Sequence, residues 1–251
     1  MNKTKISLKE RLRKGEYILG TWCILPSPEV INVLAKAGLD FVLIDMEHGA
    51  SDYKTALMMV MAAQADGCEA IIRVGENNET DVLKALDIGA SGVIVPHIEN
   101  STDRKRAISY IKYPPVGIRG FSPYARAGSY TSRPGHTVIE NKKTLSGIIV
   151  EGEEGIRSLD EIIDDKDLDI VYIGVYDLSA VLKIPGEVNN PKIYELLKKC
   201  VDKIRKKGKI AGALFHSKEE LRFFKKIGIQ LLCYKVDTSV LFDSYNSIIK
   251  S

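Results

Sequence analysis

The feature that most constrains this chain is a repeated junction, in which a helical pattern stops at a glycine and a short apolar run follows within two or three residues. The junction occurs at Asp66-Gly67, Ile88-Gly89, Lys207-Gly208 and Ile227-Gly228. Glycine accepts the left-handed backbone that closes a helix. Because such short connections join helices to strands in wound sheets, the repeat predicts a parallel α/β fold.

The apolar runs give eight strand candidates in 251 residues: Ile18–Ile24, Phe41–Ile44, Glu69–Val74, Gly92–Pro96, Gly147–Val150, Asp169–Val175, Lys209–Phe215 and Gln230–Val236. Eight βα units of this total length predict a closed (β/α)8 barrel. The alternative is a doubly wound open sheet, but no GxGxxG follows the first strand and no P-loop is present. We expect residues 1–251 to form one barrel domain with a short helix near Ser7–Arg13.

Composition excludes several classes of protein. The net charge of +3, from 36 basic and 33 acidic residues, is too balanced to indicate a nucleic-acid partner. Met1–Lys14 lacks the apolar core of a signal peptide, and no apolar run reaches membrane-spanning length. The four cysteines form no CxxC pair, so we expect reduced thiols in a cytoplasmic protein rather than a zinc site or a disulfide framework.

Polar residues follow the second predicted strand directly. Phe41–Ile44 leads into Asp45, Glu47 and His48. Alternation along a strand puts Asp45 and Glu47 on one face, and chemistry in parallel α/β folds is found at this end of the strands. The alternative is a strand end that carries solvated charges.

Other predicted strands also end in polar residues: Arg73, His97 with Glu99, Glu151, Tyr172 to Asp177, and Lys235 with Asp237. Closing a barrel brings these ends around one mouth. Glu151 and Asp177 suit a hard divalent cation with open positions for water and substrate. A nearby histidine is a candidate base, and an arginine is a candidate clamp for a carboxylate or enolate oxygen.

Each of these residues has a structural alternative. Glu151 could cap the next helix, Asp177 could be the N-cap of a helix at Leu178–Leu182, and Arg73 could form a structural ion pair. Lys235 could instead be a desolvated nucleophile. Three histidines could simply be satisfied by local hydrogen bonds: His97, His136 and His216.

Two further features have no obvious structural purpose. Asp87 lies in the last turn of a predicted helix, where a negative charge is unfavourable unless a cation is nearby. The segment Tyr113–Lys143, with Arg119 and Arg126, shows no clear periodicity. Loops of this length are usually functional or disordered. It precedes the fifth strand, at the wrong end for a loop of the mouth, so a plain surface loop is the alternative.

Motifs spread along most of the chain resemble one family, the class II, metal-dependent pyruvate aldolases of the HpcH/HpaI type (2,4-dihydroxyhept-2-ene-1,7-dioate aldolases). The matching segments are Gly20-Thr21-Trp22, Ile44–His48, Arg73-Val74, Leu86–Gly89, Tyr113–Gly120, Ala125–Ala127, Val150-Glu151, Ile173–Ser179 and Val236–Thr238. The segments YPPVGIRG and IGVYDLS together make the resemblance specific.

The resemblance implies a (β/α)8 barrel assembled as a homohexamer, in which Glu151 and Asp177 bind Mg²⁺, Mn²⁺ or Co²⁺. It implies that His48 works with Asp87 on the proton and that Arg73 holds the enolate. The implied reaction is retro-aldol cleavage of a 4-hydroxy-2-oxo acid into pyruvate and an aldehyde.

The resemblance also implies that substrate contacts come from Gly174, Tyr176 and Arg126. The loop around Arg126 would then line the site, either that of its own subunit or that of a neighbouring one. A cation beside a developing enolate stabilises charge that appears mainly in the transition state.

The chain departs from the family pattern at several positions: Met46 replaces glycine, Ile149 replaces glutamine, His97 replaces methionine, Lys235 replaces a small residue, and Val175-Tyr176 replaces small residues or proline. We expect these changes to narrow or recharge the pocket. The alternatives are a Schiff-base aldolase that uses Lys235, a barrel that binds a 2-oxo acid without catalysis, and an acyl-CoA lyase of the same superfamily.

Overall fold

A computed structural model of the chain describes residues 6–188 and 190–250. Its strands are β1 Ile18–Cys23, β2 Phe41–Asp45, β3 Glu69–Arg73, β4 Gly92–Ile98, β5 Leu145–Val150, β6 Ile170–Ile173, β7 Ile210–Phe215 and β8 Leu231–Val236. They pair in chain order and in parallel, and β8 pairs with β1 to close a barrel. The predicted (β/α)8 barrel is confirmed, and the open sheet is wrong. Residues 1–5, on which the signal-peptide interpretation partly depends, lie outside the described range.

Helices connect the strands on the outside of the barrel: α1 Leu8–Arg13, α2 Pro28–Lys36, α3 Tyr53–Ala65, α4 Glu79–Asp87, α5 Ser101–Ile111, α6 His136–Lys143, α7 Gly152–Arg157, α8 Leu159–Ile162, α9 Val175–Val181, α10 Pro191–Lys206, α11 Lys218–Ile227 and α12 Asp237–Ile249. Several helices end at the predicted glycines; Gly89 and Gly228 both have φ of +93°. Within the described residues, no helix combines the length and apolar character needed to cross a membrane.

The two ends of the barrel differ in what closes them. At the N-terminal ends of the strands, here called the base, Leu8 and Leu12 of α1 pack into the inner core. Ser7 caps α1 with a reciprocal capping box to Glu10. Lys9 of the same helix pairs with buried Asp169 at 2.6 Å. The C-terminal ends of the strands, here called the mouth, carry the polar residues.

The segment Tyr113–Lys143 is not fully irregular, contrary to the sequence-based expectation. It contains α6 and a short 3-10 helix at Arg126–Gly128. The pattern hid α6 because His136 is its sole buried residue, so the helix has no apolar stripe. Its C-terminal end is held by the buried Lys112, whose Nζ donates to the carbonyl of Asn141 at 2.9 Å.

Candidate active site

A cavity of about 380 Å³ opens at the mouth of the barrel. The charged residues that line it are Asp45, His48, Arg73, Glu151 and Asp177. The opposite walls are largely apolar and come from Trp22, Ile24, Ile149, Tyr172, Ile173, Val175, Tyr176, Leu214 and Val236. Cavities with a few converging polar groups among apolar walls are typical of small-molecule sites.

Asp45 organises the loop that follows β2. Its Oδ1 accepts hydrogen bonds from the backbone N–H of Glu47 at 3.0 Å and of His48 at 3.2 Å. This side-chain turn bends the chain as soon as the strand ends. Because Asp45 is buried and fixed in this way, it also places Glu47 and His48 at the mouth.

Arg73, at the end of β3, is fixed from two directions. Its Nε donates to Asp45 Oδ1 at 2.9 Å, a second hydrogen bond reaches the other oxygen of Asp45, and its Nη1 lies 2.9 Å from Glu47 Oε2. The guanidinium carbon also lies 4.5 Å from the centre of the Trp22 ring. The structural ion pair considered for Arg73 is therefore present, and the same guanidinium lines the cavity.

Glu151 follows β5 and occupies the N-cap position of α7, but its side chain caps nothing. The interpretation of Glu151 as a side-chain helix cap is wrong. Its Oε1 instead accepts the backbone N–H of His97 at 2.8 Å. His97 presents that N–H because its backbone is left-handed, with φ of +58°.

The His97 imidazole lies between two acids of the mouth. Its Nε2 is 3.2 Å from Glu47 Oε1, and its Nδ1 is 3.4 Å from Glu151 Oε1. His97 is thus locally paired, as the alternative for this histidine expected. The other two differ: Nε2 of His136 and Nε2 of His216 are buried without a hydrogen-bond partner among the described residues.

Asp177 lies in the first turn of α9, whose N-cap is Gly174. The interpretation of Asp177 as an N-cap is wrong because the helix begins two residues earlier, at Val175. Burial, and then the charge of Glu151, raise the pKa of the Asp177 carboxyl. The two predicted metal ligands are therefore close enough to repel each other, which is what a shared cation would relieve.

The charge of the mouth fits a hard divalent cation. Glu47, Asp45, Glu151 and Asp177 are faced by the single guanidinium of Arg73 among the described residues around the cavity. Carboxylate oxygens are the ligands that Mg²⁺ and Mn²⁺ prefer. No group of three or more His, Cys, Asp or Glu side chains within residues 6–188 and 190–250 converges on one point. A cation held by two acids would keep positions for water and substrate.

His48 reaches the cavity from the loop after β2. Its side chain is 72% exposed, and its Nε2 lies 3.9 Å from Glu47 Oε1. This accessible imidazole can meet a substrate that enters the mouth.

The structure does not bring Asp87 or Arg126 to this mouth within one chain. Asp87 ends α4 at the base of the barrel, where Arg119 Nη2 lies 2.9 Å from its Oδ1. Arg126 Nη2 donates to Gln64 Oε1 at 2.7 Å, also at the base. A second cavity of about 540 Å³ lies beside these residues. The neighbouring cation considered for Asp87 is thus Arg119.

Lys235 and Asp237 have structural roles here. The Nζ of Lys235 pairs with Asp243 of α12 at 2.6 Å, and this hydrogen bond raises the pKa of the lysine. A Schiff-base lysine needs the opposite shift. Asp237 accepts backbone N–H groups of Ile24 and Leu25 and so ties α12 to the end of β1.

Sequence reasoning gave no role to three aromatic or apolar lining residues: Trp22, Tyr172 and Leu214. Trp22 and Tyr172 lie within predicted strands, where a large side chain is most simply read as core. The available signal was that Trp22 is the only tryptophan of the chain and comes next to last in the first strand.

Comparisons with known proteins agree with the barrel fold and with the family resemblance of the sequence. The family model described as HpcH/HpaI aldolase/citrate lyase matches residues 19–242. A pyruvate aldolase of Rhizobium etli is 32% identical over 82% of this chain and 81% of its own length. A 4-hydroxy-2-oxo-heptane-1,7-dioate aldolase of Escherichia coli is 29% identical over 94% of this chain and 90% of its own. The crystal structure of an HpcH/HpaI aldolase from Desulfitobacterium hafniense superposes with a TM-score of 0.92 at 25% identity, covering 98% of this chain and 96% of that one.

The barrel, its acid-lined mouth and these relatives define an aldolase-type carbon–carbon lyase. The chain belongs to the HpcH/HpaI aldolase/citrate lyase family.

Proposed function

We propose that the mouth of this barrel cleaves a 4-hydroxy-2-oxo acid into pyruvate and an aldehyde with the help of a divalent cation. The observation that carries the proposal is that Glu151 and Asp177 line one cavity, where burial and then the charge of Glu151 raise the pKa of the Asp177 carboxyl. Such a pair costs stability unless a cation neutralises it, so it is expected at a functional site.

Glu151 and Asp177 would hold Mg²⁺, Mn²⁺ or Co²⁺. When bound, the cation supplies an electron sink for the enolate that forms as the C3–C4 bond opens. Glu151 is prepared for this role because His97 holds one of its oxygens in place.

Arg73 would bind the oxygen that gains charge on the pyruvate half of the substrate. Its planar guanidinium is held on two edges by Asp45 and Glu47, so the group is oriented before substrate arrives. A donor that is already oriented needs no reorganisation when charge develops, which makes it effective in catalysis.

His48 would take the proton of the 4-hydroxyl in the cleavage direction. An imidazole is suited to proton transfer near neutral pH. Asp45 fixes the loop that carries it, while its ring stays exposed to the cavity. Gly174 and Tyr176 would contact the substrate from the opposite wall.

We propose that Asp87 and Arg126 act in the mouth of another subunit, because they lie at the base of their own barrel. An oligomer is supported by α12, whose apolar side chains are largely exposed in the single chain; Phe242 is 67% exposed and Tyr245 is 71% exposed. Exposed apolar patches of this kind mark interaction surfaces. We take the assembly to be a homohexamer, as the family resemblance implies, and to work in the cytoplasm, where its four buried cysteines stay reduced.

The main test is pyruvate release from a panel of 4-hydroxy-2-oxo acids before and after EDTA treatment, and again after Mg²⁺, Mn²⁺ or Co²⁺ is added back. Mn²⁺ binding followed by electron paramagnetic resonance should weaken strongly in Glu151→Gln and Asp177→Asn. Glu153→Gln is the matched control because Glu153 is exposed and pairs only with Arg157. Turnover that survives complete chelation contradicts the role of the cation. Binding of oxalate without turnover indicates a non-catalytic 2-oxo-acid-binding barrel.

The shared site has its own test. Asp87→Asn and His48→Ala enzymes should each be inactive, but subunits mixed after dissociation should regain activity at about a quarter of the sites. No recovery on mixing contradicts the sharing of one site between subunits.

The Schiff-base alternative is tested by borohydride reduction with pyruvate. The ion pair of Lys235 with Asp243 favours no adduct at this lysine. A covalent adduct at Lys235 would contradict the metal-dependent mechanism and support the Schiff-base mechanism.

A further inference from the structure

A buried chain of side chains crosses the barrel interior and ends beneath Arg73. Trp22 of β1 donates its indole N–H to the hydroxyl oxygen of Tyr172 at 2.7 Å. The two rings meet edge to face, with centroids 5.3 Å apart and planes at 86°. On its other side, the face of the Trp22 ring lies 4.5 Å from the guanidinium carbon of Arg73.

The Tyr172 hydroxyl has neighbours on two other strands. It accepts the indole N–H of Trp22, and the thiol of Cys233 on β8 lies beside it. Tyr172 is buried, and this environment raises the pKa of its hydroxyl well above the usual value. Burial likewise raises the pKa of the Cys233 thiol to about 12. Both groups are therefore neutral, and the chain is a fixed set of dipoles.

The barrel provides space for the Tyr172 ring at one glycine. A Cβ at Gly212 of β7 would come within 2.7 Å of Tyr172 Cδ2. Four strands thus fix the ring: β6 carries it, β7 leaves room for it, β1 supplies its hydrogen-bond partner, and β8 places Cys233 beside its hydroxyl.

We propose that Tyr172 is a positioning residue for substrate binding, which holds the Trp22 indole so that its face supports the Arg73 guanidinium. This inference rests on the proposed function, because it assigns Tyr172 a role through the arginine that would bind the pyruvate half. A cation over an indole face is stabilised only when ring and guanidinium keep their geometry. Asp45 and Glu47 hold the edges of the Arg73 guanidinium, and the Trp22 ring fixes the orientation of its plane.

The chain offers a direct readout because Trp22 is its only tryptophan. Tyr172→Phe keeps the ring and removes the acceptor of the indole N–H. We expect the Trp22 emission to move to shorter wavelength and the affinity for oxalate, measured calorimetrically with Mg²⁺ present, to fall roughly three- to tenfold. KM for the aldol substrate should rise by a similar factor, while kcat should change less.

Tyr17→Phe is the matched control. The Tyr17 hydroxyl is hydrogen-bonded too, since it donates to the carbonyl of Lys225 at 3.0 Å, but Tyr17 lies at the base of the barrel, away from Trp22 and Arg73. This variant should leave Trp22 emission and oxalate affinity unchanged. Cys233→Ala removes only the thiol beside the Tyr172 hydroxyl and keeps the Trp22 hydrogen bond, so it should shift both readouts in the same direction by less.

A double-mutant cycle separates positioning from general packing. In a Trp22→Phe background the ring face remains but no indole N–H is left for the hydroxyl to hold. Tyr172→Phe should then change oxalate affinity by less than about twofold. Unchanged oxalate affinity in Tyr172→Phe alone, or an undiminished effect in the Trp22→Phe background, overturns the inference. If wild-type enzyme binds oxalate but cleaves none of the panel, the proposed function fails while the positioning role is still decided by emission and affinity.

Discussion

The two ends of the barrel differ in how their charged side chains are paired. At the base, charged groups are matched: Lys9 and Arg13 share Asp169, and Arg11 pairs with Asp40. At the mouth, two acids orient Arg73, whereas Glu151 lies beside the imidazole of His97, and neither Glu151 nor Asp177 forms an ion pair with a lysine or arginine among the described residues. Both ends are partly buried, so burial alone does not explain the difference.

This contrast teaches which charges serve the fold. Matched pairs at the base hold α1 against the barrel, and loss of Lys9 would leave buried Asp169 with the exposed Arg13 as its remaining cation. Unmatched acids at the mouth lower stability in the absence of a cation. An arrangement that costs stability is expected to be kept for binding or catalysis.

The sharpest test of the contrast is Arg73→Lys. Lysine keeps the charge, but it cannot form the paired hydrogen bonds to both oxygens of Asp45, and it has no planar group to stack on Trp22. We expect kcat/KM to fall on the order of a hundred- to a thousandfold with little loss of stability. Arg104→Lys is the control, because Arg104 is also buried and paired, with Asp165, away from the cavity. Equal losses of activity in Arg73→Lys and Arg104→Lys would contradict a specific catalytic role for the arginine at the mouth.

At the base, Lys9→Met should lower the stability of the fold without affecting the mouth. Loss of the 2.6 Å pair with Asp169 should lower the free energy of unfolding by about 3 kcal/mol, because the acid stays buried. Urea unfolding measures this change, and Mn²⁺ affinity should be unaffected. Lys203→Met breaks an exposed pair with Asp160 and should cost less than about 1 kcal/mol. A change in Mn²⁺ affinity in Lys9→Met would show that the two ends are coupled.

Gly174→Ala should affect the mouth alone. A Cβ at this position would lie 2.2 Å from Asp177 Oδ2, so the carboxylate must rotate away. We expect Mn²⁺ affinity to fall roughly tenfold, comparable to the loss of a supporting contact around a metal. At Gly75, near the same mouth, the nearest atom to a Cβ is 3.5 Å away. Gly75→Ala should therefore bind Mn²⁺ like the wild type. Equal weakening of Mn²⁺ binding in the two variants would contradict a specific effect of the close approach between Gly174 and Asp177.

The smallest effect concerns Lys112, the exception at the base. Burial lowers its pKa to about 8, and the acceptors of its Nζ are the carbonyls of Asn141 and Thr144. In the unfolded chain the lysine binds its proton up to its ordinary pKa of 10.5. Between these values the unfolded state holds more protons, so stability should rise with pH.

The expected slope from Lys112 is at most roughly 1.4 kcal/mol per pH unit. It is measured by urea unfolding between pH 8 and pH 10 as the difference between wild type and Lys112→Met. The same slope in both proteins would contradict the assignment of the low pKa to this lysine.

The barrel could be predicted from the sequence because its signals are local. Several helices end at a glycine, and most strands are short apolar runs, so the order of elements can be followed along the sequence. The helix α6 was not predicted because it buries little surface and is held by a lysine that is distant in sequence, Lys112. Such a contact has no local pattern.

The site was only partly accessible to the same reasoning. Asp45, Arg73, Glu151 and Asp177 stand at strand ends, where the fold itself assigns them to the mouth. Which acid pairs with which cation depends on side-chain rotamers from different strands. The hydrogen bond from His97 to Glu151, and the contact of Trp22 with Arg73, are of this kind.

The left-handed backbone of His97 has a consequence for laboratory evolution of this pocket. At φ of +58°, glycine, asparagine and aspartate fit easily, whereas β-branched residues are strained. A library randomised at codon 97 would therefore sample few viable variants. Redesign of the pocket rim should therefore use positions other than His97, which lies between Glu47 and Glu151.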